Sequence, residues 1–378
     1  MRSSMRLLSL FATAAFVISA CSGTAATGAP SVAPSAAGSE APSEAPSVAP
    51  SAAAVDWTAC VAFDTGGLGD KGFNDLAKKG LEDAAALGYK TFFSEAQGAT
   101  DYAANIQRLI DQGCQSIITV GFNQAQATID ATKENTDVAF AQVDAVWDET
   151  ANGPTPANFS GLDFQIDEAA MLAGYLAAGF SKSGKVGTYG GQQFPGVTRF
   201  MDGMYAGIKY HNEKKGTAVE LLGWNAATQT GTFVGGDNPW GDPAKGEQLA
   251  QTFLDQGVDI VHPVSGATGN GTLKAMLAAG KWGIGVDTDQ AISLAEYAGA
   301  IITSAEKVID VAVLETFKKN SGGDTGGENF VGTLANAGVR LSPFHEFDDD
   351  ISAELKTEIE ALQAGIADGS VKVADYLK

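Results

Sequence analysis

The sequence predicts an α/β protein whose folded body consists of two doubly wound lobes of parallel sheet. Short apolar runs alternate with stretches of helical spacing, the mark of βαβ units, and the alternation occurs twice. The roughly 320 residues beyond Ala54 also exceed what one hydrophobic core ordinarily holds.

The elements follow in chain order. Arg2 and Arg6 precede the apolar run LLSLFATAAFVISA, too short to span a bilayer comfortably and shaped as a secretory signal. It ends Ile18-Ser19-Ala20-Cys21, a small-residue pair directly before a cysteine, which resembles a bacterial lipobox and makes Cys21 the expected lipidation site. Residues 1–20 are thus expected to be a lipoprotein signal peptide. Residues 21–54 collapse to Ala, Pro, Ser, Gly, Thr and Val with two glutamates. Such a segment buries too little apolar surface to offset its ordering entropy, so the reading is a disordered tether reaching on the order of 100 Å. The protein is therefore expected at the extracytoplasmic face of a cell membrane, held by a lipid anchor.

In the body, strands are expected at residues 61–63, 89–93, 116–121 and 138–143, then at 185–190, 219–224, 259–264 and 282–286. Helical stretches include residues 73–84, 102–112, 169–180 and 248–256. Cys60 at the first strand and Cys114 before the third would be neighbours in such a sheet. The hypothesis is a disulfide at the end remote from the ligand cleft, the alternative being two small buried thiols.

Ligands of doubly wound sheets bind beyond the carboxyl ends of strands. Asp64, Asp144 and Asp287 each follow a strand, and they come from both halves of the chain, so one cleft between two lobes is expected. The segment FDTGGLGDKGFNDL also spells G-x-G-x-x-G, with Glu95 near the place of a ribose-binding acid. A dinucleotide site is disfavoured because Asp70 would set like charge against pyrophosphate, and because free nicotinamide cofactor is not expected outside the cytoplasm. The net charge of -21, or -23 once a signal with two arginines and no acid is removed, argues against nucleic acid as a partner.

Phe73 is either a core residue or an aromatic face for a planar ligand, and the Asn74 amide offers a donor and an acceptor to a heterocycle. Trp240, in the loop DNPWGDPAKG, supplies a second face or packs on its own lobe. Lys307 is read as starting a helix, solvated or turned into the cleft. His262 ends a strand and is structural or a ligand contact. His211, His262 and His345 lack metal-ligand spacing, and the body carries no G-x-S-x-G, H-E-x-x-H or G-K-[ST]. No metal, cofactor or catalytic residue is assigned; the protein reads as a binder and not an enzyme.

Several segments together resemble the basic membrane protein family of extracytoplasmic solute-binding lipoproteins: FDTGGLGDKGFND, VGFNQAQAT, AQVDAVW, the run from LDFQIDEAA to MYAGIK, DPAKGEQLA, GATGNGT, GVDTDQ and TSAEKVIDVAV. The resemblance covers nearly the whole body. It implies a type I periplasmic-binding-protein fold, two lobes joined by a three-strand hinge. It implies a purine nucleoside as ligand, and an ABC permease with its ATPase as partners of a monomer. Lobe 1 is assigned residues 55–162 plus 291–325 and lobe 2 residues 163–290 plus 326–378. By position, Asp64, Phe73 and Asn74 match the purine-holding motif, Asp144 and Asp287 the acids for ribose hydroxyls, Lys307 the lysine of the hinge-side helix, and Gly266 the turn lining the cleft. Trp240 falls where the family places an aromatic. His262 falls where an aromatic such as phenylalanine is expected, a departure. Riboflavin or a sugar as ligand, or a tethered sensor without transport, are the alternatives.

Overall fold

The computed structural model describes residues 54–378; the expected signal peptide, Cys21 and the tether up to residue 53 lie outside the described residues. From the amino end run β1 (Thr58–Phe63), α1 (Phe73–Ala86), β2 (Lys90–Glu95), α2 (Tyr102–Asp111), β3 (Ser116–Val120), α3 (Ala125–Glu134), β4 (Ala139–Val143), α4 (Glu149–Asn152) and β5 (Phe159–Phe164). Then come α5 (Ile166–Phe180), β6 (Lys185–Gly190), α6 (Pro195–Lys215), β7 (Glu220–Leu222), the small hairpin β8 (Trp224–Asn225) and β9 (Thr230–Gly231), α7 (Pro243–Asp255), β10 (Ile260–Val264), α8 (Ala267–Ala278) and β11 (Trp282–Asp287). The chain closes with α9 (Gln290–Ser293), β12 (Ile301–Lys307), α10 (Ile309–Ser321), β13 (Phe330–Gly332), β14 (Val339–Leu341) and α11 (Ala353–Ala367).

Two six-stranded sheets result, ordered β13-β5-β4-β3-β1-β2 and β14-β12-β11-β10-β6-β7. All pairings in the first are parallel, and in the second only β14 runs antiparallel. The central strands β3, β4 and β10 are buried along their whole length, as strands covered by helices on both faces must be. Helix α5 is apolar nearly all round because it lies between a sheet and its neighbours α6 and α11. Its approach to α6 depends on Gly207, where an added Cβ would sit 2.1 Å from the Met171 carbonyl oxygen.

The chain crosses between lobes three times, after β5, after β12 and after β13, which gives two doubly wound lobes on a three-strand hinge. The crossings correct the expected lobe boundaries. Residues 291–307 run through α9 and β12, which pack on β11, and so belong to lobe 2, while β13 pairs with β5 in lobe 1. Strand β12 is buried throughout yet carries Thr303, Ser304, Glu306 and Lys307, so no apolar run marks it as a strand. For the same reason Lys307 ends a strand; the helix begins at Ile309.

Cys60 and Cys114 are joined by a disulfide with Cα atoms 6.0 Å apart. It ties β1 to the turn ahead of β3, away from the strand tips that carry Asp64 and Gly121.

Candidate functional site

The strand tips of both lobes enclose a cavity of about 660 Å³, its mouth included, a size suited to a small organic ligand. Of the residues singled out from sequence, Asp64, Phe73, Asn74, Asp144, Trp240, Gly266, Asp287 and Lys307 line it. His262 does not. It lies on β10 two residues before Val264, one pleat below the cavity wall, fully buried and 5.7 Å from the Phe200 ring centroid. Neither ring nitrogen has a partner among the described residues, and burial alone pushes the imidazole down to about 3, so it stays neutral.

The Lys307 ammonium is the one cationic group lining the cavity among the described residues. It donates to Asp144 Oδ2 at 2.6 Å and lies 3.6 Å from Asp287 Oδ1, with its side chain only 2% exposed. It also lies 5.2 Å and 5.0 Å from the ring centroids of Phe73 and Phe200. Burial opposes its charge, yet the two acids outweigh burial and hold its pKa above the ordinary lysine value. Desolvation raises Asp287 to about 6 against the pull of Lys307, and raises Asp144 as well.

Asp144 and Asp287 occupy equivalent places. β4 and β11 are each third from the same end of their sheets, and both aspartates sit at the strand tip with left-handed backbone, φ 62° and 64°. Aspartate tolerates that conformation better than most residues, and the turn aims both carboxylates into the cleft. Gly196 makes room for one of them: an added Cβ there would sit 2.8 Å from Asp144 Oδ2.

At the start of α1 lies a second polar cluster. Asp64 Oδ1 accepts from Gly66 N at 2.9 Å and from Asn74 Nδ2 at 3.1 Å, and Asn74 Nδ2 also donates to Asp70 Oδ2 at 3.1 Å. Burial raises Asp64 to about 6 despite these donors. Asp70 accepts from the backbone N–H of Gly72, Asn74 and Asp75, and Asp75 accepts from those of Gly69 and Lys71. The amides that a pyrophosphate would need at this G-x-G-x-x-G turn are therefore occupied by the protein's own carboxylates.

The lobes touch across the mouth. Phe122 and Phe194 approach at 5.0 Å between centroids, Asn270 Nδ2 donates to the Asp70 carbonyl at 3.3 Å, and Ser293 Oγ donates to the Lys71 carbonyl at 2.8 Å. Phe122, Phe194, Phe200 and Ser265 all line the cavity and were not singled out from sequence. Phe200 lies inside α6, where the strand-tip argument does not reach, but Phe194 precedes Pro195 in the loop that follows β6, and the argument that marks Asp64 covers it. Phe122 and Ser265 follow β3 and β10 in the same way.

Residues 58–375 match the family model for Bmp, described as ABC transporter substrate-binding protein PnrA-like. The chain belongs to the Bmp family. Relatives of this Bmp protein include Basic membrane protein A of Borreliella burgdorferi, 28% identical over 312 residues (82% of this chain, 85% of that one). Another is the ABC transporter nucleoside-binding protein BmpA of Lactococcus lactis subsp. cremoris, 28% identical over 345 residues (84% and 89%). Among solved structures, an ABC transporter solute-binding protein from Aeropyrum pernix K1 superposes with a TM-score of 0.74 at 26% identity, covering 84% of this chain and 92% of that one. The Bmp protein thus has the type I fold of solute-binding proteins, and the family's role is substrate binding for ABC transport.

Proposed function

We propose that this Bmp protein captures a purine nucleoside in the interlobe cleft and delivers it to an ABC permease and its ATPase. It works as a monomer on the extracytoplasmic face of the cell membrane, anchored by lipid on Cys21. The observation that carries the ligand reading is the Lys307-bridged pair Asp144 and Asp287 facing the same cavity as Phe73 and Phe200. A vicinal diol donates hydrogen bonds from its two hydroxyls to two carboxylates, and a planar base lies against aromatic faces. Asp64 and Asn74 then meet the base edge. A nucleotide is disfavoured because the only cation of the cavity lining among the described residues is already opposed by two acids and the helix-start amides are taken. The Lactococcus lactis relative, an ABC transporter nucleoside-binding protein, supports the same reading.

The test is a thermal-shift screen of the full chain, stripped of ligand by unfolding and refolding, against nucleosides, nucleobases, riboflavin, sugars and NAD. Saturating nucleoside at a hundredfold excess over Kd stabilises by about 2.7 kcal/mol. A response to riboflavin or a sugar alone keeps the ligand trap and rejects the nucleoside; a response to NAD alone rejects both. A sensor without transport is separated by reconstitution: uptake that persists without this protein rejects the delivery role.

A further inference from the structure

We propose that the cleft selects guanosine among the common nucleosides, because Asp64 and Asn74 present only acceptors to the edge of the base. The inference rests on the nucleoside reading above and adds the identity of the base.

Both amide hydrogens of Asn74 are committed, one to Asp64 Oδ1 and one to Asp70 Oδ2, each at 3.1 Å. The opposite amide orientation would set the Asn74 oxygen against two carboxylates, so the network fixes which atom points where. Asn74 Oδ1 is left buried with no partner among the described residues. Asp70 is occupied by Gly72, Asn74 and Asp75 and offers nothing further. On Asp64, Oδ1 is filled by Gly66 and Asn74, while Oδ2 accepts from no described residue. Space beside Oδ2 is kept by Gly121, whose missing Cβ would lie 2.4 Å away. Two acceptors of neighbouring side chains therefore await two donors.

Guanine carries two donors side by side, N1–H and the 2-amino group. Adenine sets its amino group next to the acceptor N1, and hypoxanthine sets N1–H next to an acceptor carbonyl. Uracil places one N–H between two carbonyls, and cytosine places its amino group beside an acceptor nitrogen. Each of these leaves a buried acceptor unpaired or opposes it with another acceptor, which a desolvated site rejects.

Calorimetry of the refolded full chain with guanosine, inosine and adenosine tests this. Guanosine should bind tightest, inosine about tenfold weaker for the missing amino group, and adenosine about a hundredfold weaker or worse. Asp64→Asn puts an amide donor within reach of adenine N1 and should move the preference towards adenosine. If that variant fails to fold, as judged by circular dichroism, the wild-type series still decides. Adenosine binding as tightly as guanosine overturns the inference and leaves the nucleoside reading intact. Binding of no nucleoside overturns that reading, and the inference with it.

Discussion

Replacing Lys307 with methionine nearly keeps the volume of the side chain and removes the one cation that lines the cavity among the described residues. In the native protein its ammonium lies 2.6 Å from one carboxylate and 3.6 Å from another, and both acids have side chains only 11% exposed. Taking one member from a buried ion cluster leaves the others uncompensated, at a cost of about 3–5 kcal/mol. The loss has a pH signature. Without Lys307 the folded-state pKa values of Asp144 and Asp287 rise further, and an acid whose folded pKa is raised destabilises most above that pKa and least once protonated. Urea unfolding of wild type and Lys307→Met at pH 8 and pH 5 should therefore show a large deficit at pH 8 that shrinks at pH 5. Nucleoside affinity at pH 8 should fall by at least about tenfold, since the two acids no longer stand ionised side by side. A deficit below about 1 kcal/mol at pH 8, or one that is the same at both pH values, would refute the reasoning.

Other predictions concern different parts of the molecule. Desolvation lifts Asp64 and Asp287 to about 6, so in the wild type each should return stability as pH falls through 6 towards 4, on the order of 2–3 kcal/mol apiece; a pH profile unchanged in the Asp64→Asn, Asp287→Asn double variant would count against these assignments. Reduction of the Cys60–Cys114 disulfide, whose cysteines are 54 residues apart, should cost up to about 4 kcal/mol of stability while leaving nucleoside affinity within about twofold; thiol titration with denaturant curves and calorimetry checks both. Gly196→Ala sets a methyl group against Asp144 Oδ2 and should weaken nucleoside binding about tenfold with little effect on the melting temperature.

The residues that read most clearly from sequence are those whose role follows from position on a strand. Asp64, Asp144 and Asp287 stand just at the tips of apolar runs, and in a doubly wound sheet that location is the cleft. Lys307 is legible through family resemblance, but its element is not, because β12 hides polar side chains among its buried residues. The lobe boundary failed there for the same reason. β5 was also absent from the expected strands, since Ser160, Gly161 and Asp163 break its apolar pattern. His262 shows the limit of reading a strand end to within one residue: a shift of two positions takes a side chain from the cavity wall to the interior. The mutual contacts of Phe122 and Phe194 come from different lobes, and no local pattern announces a meeting that only the assembled hinge creates.

The equivalence of the two sheets bears on how a ligand is oriented. Register pairs Val143 with Leu162 in one lobe and Asp287 with Glu306 in the other, so Phe164 at the tip of β5 corresponds to Lys307 at the tip of β12. The paired aspartates alone would present nearly the same face from either side, and a ligand turned end for end about the pseudo-dyad would meet similar groups. Lys307 reaches the cavity, whereas its counterpart Phe164 is buried outside the cavity lining, so the cation that bridges the two acids comes from one lobe alone and helps give the cleft a head and a tail.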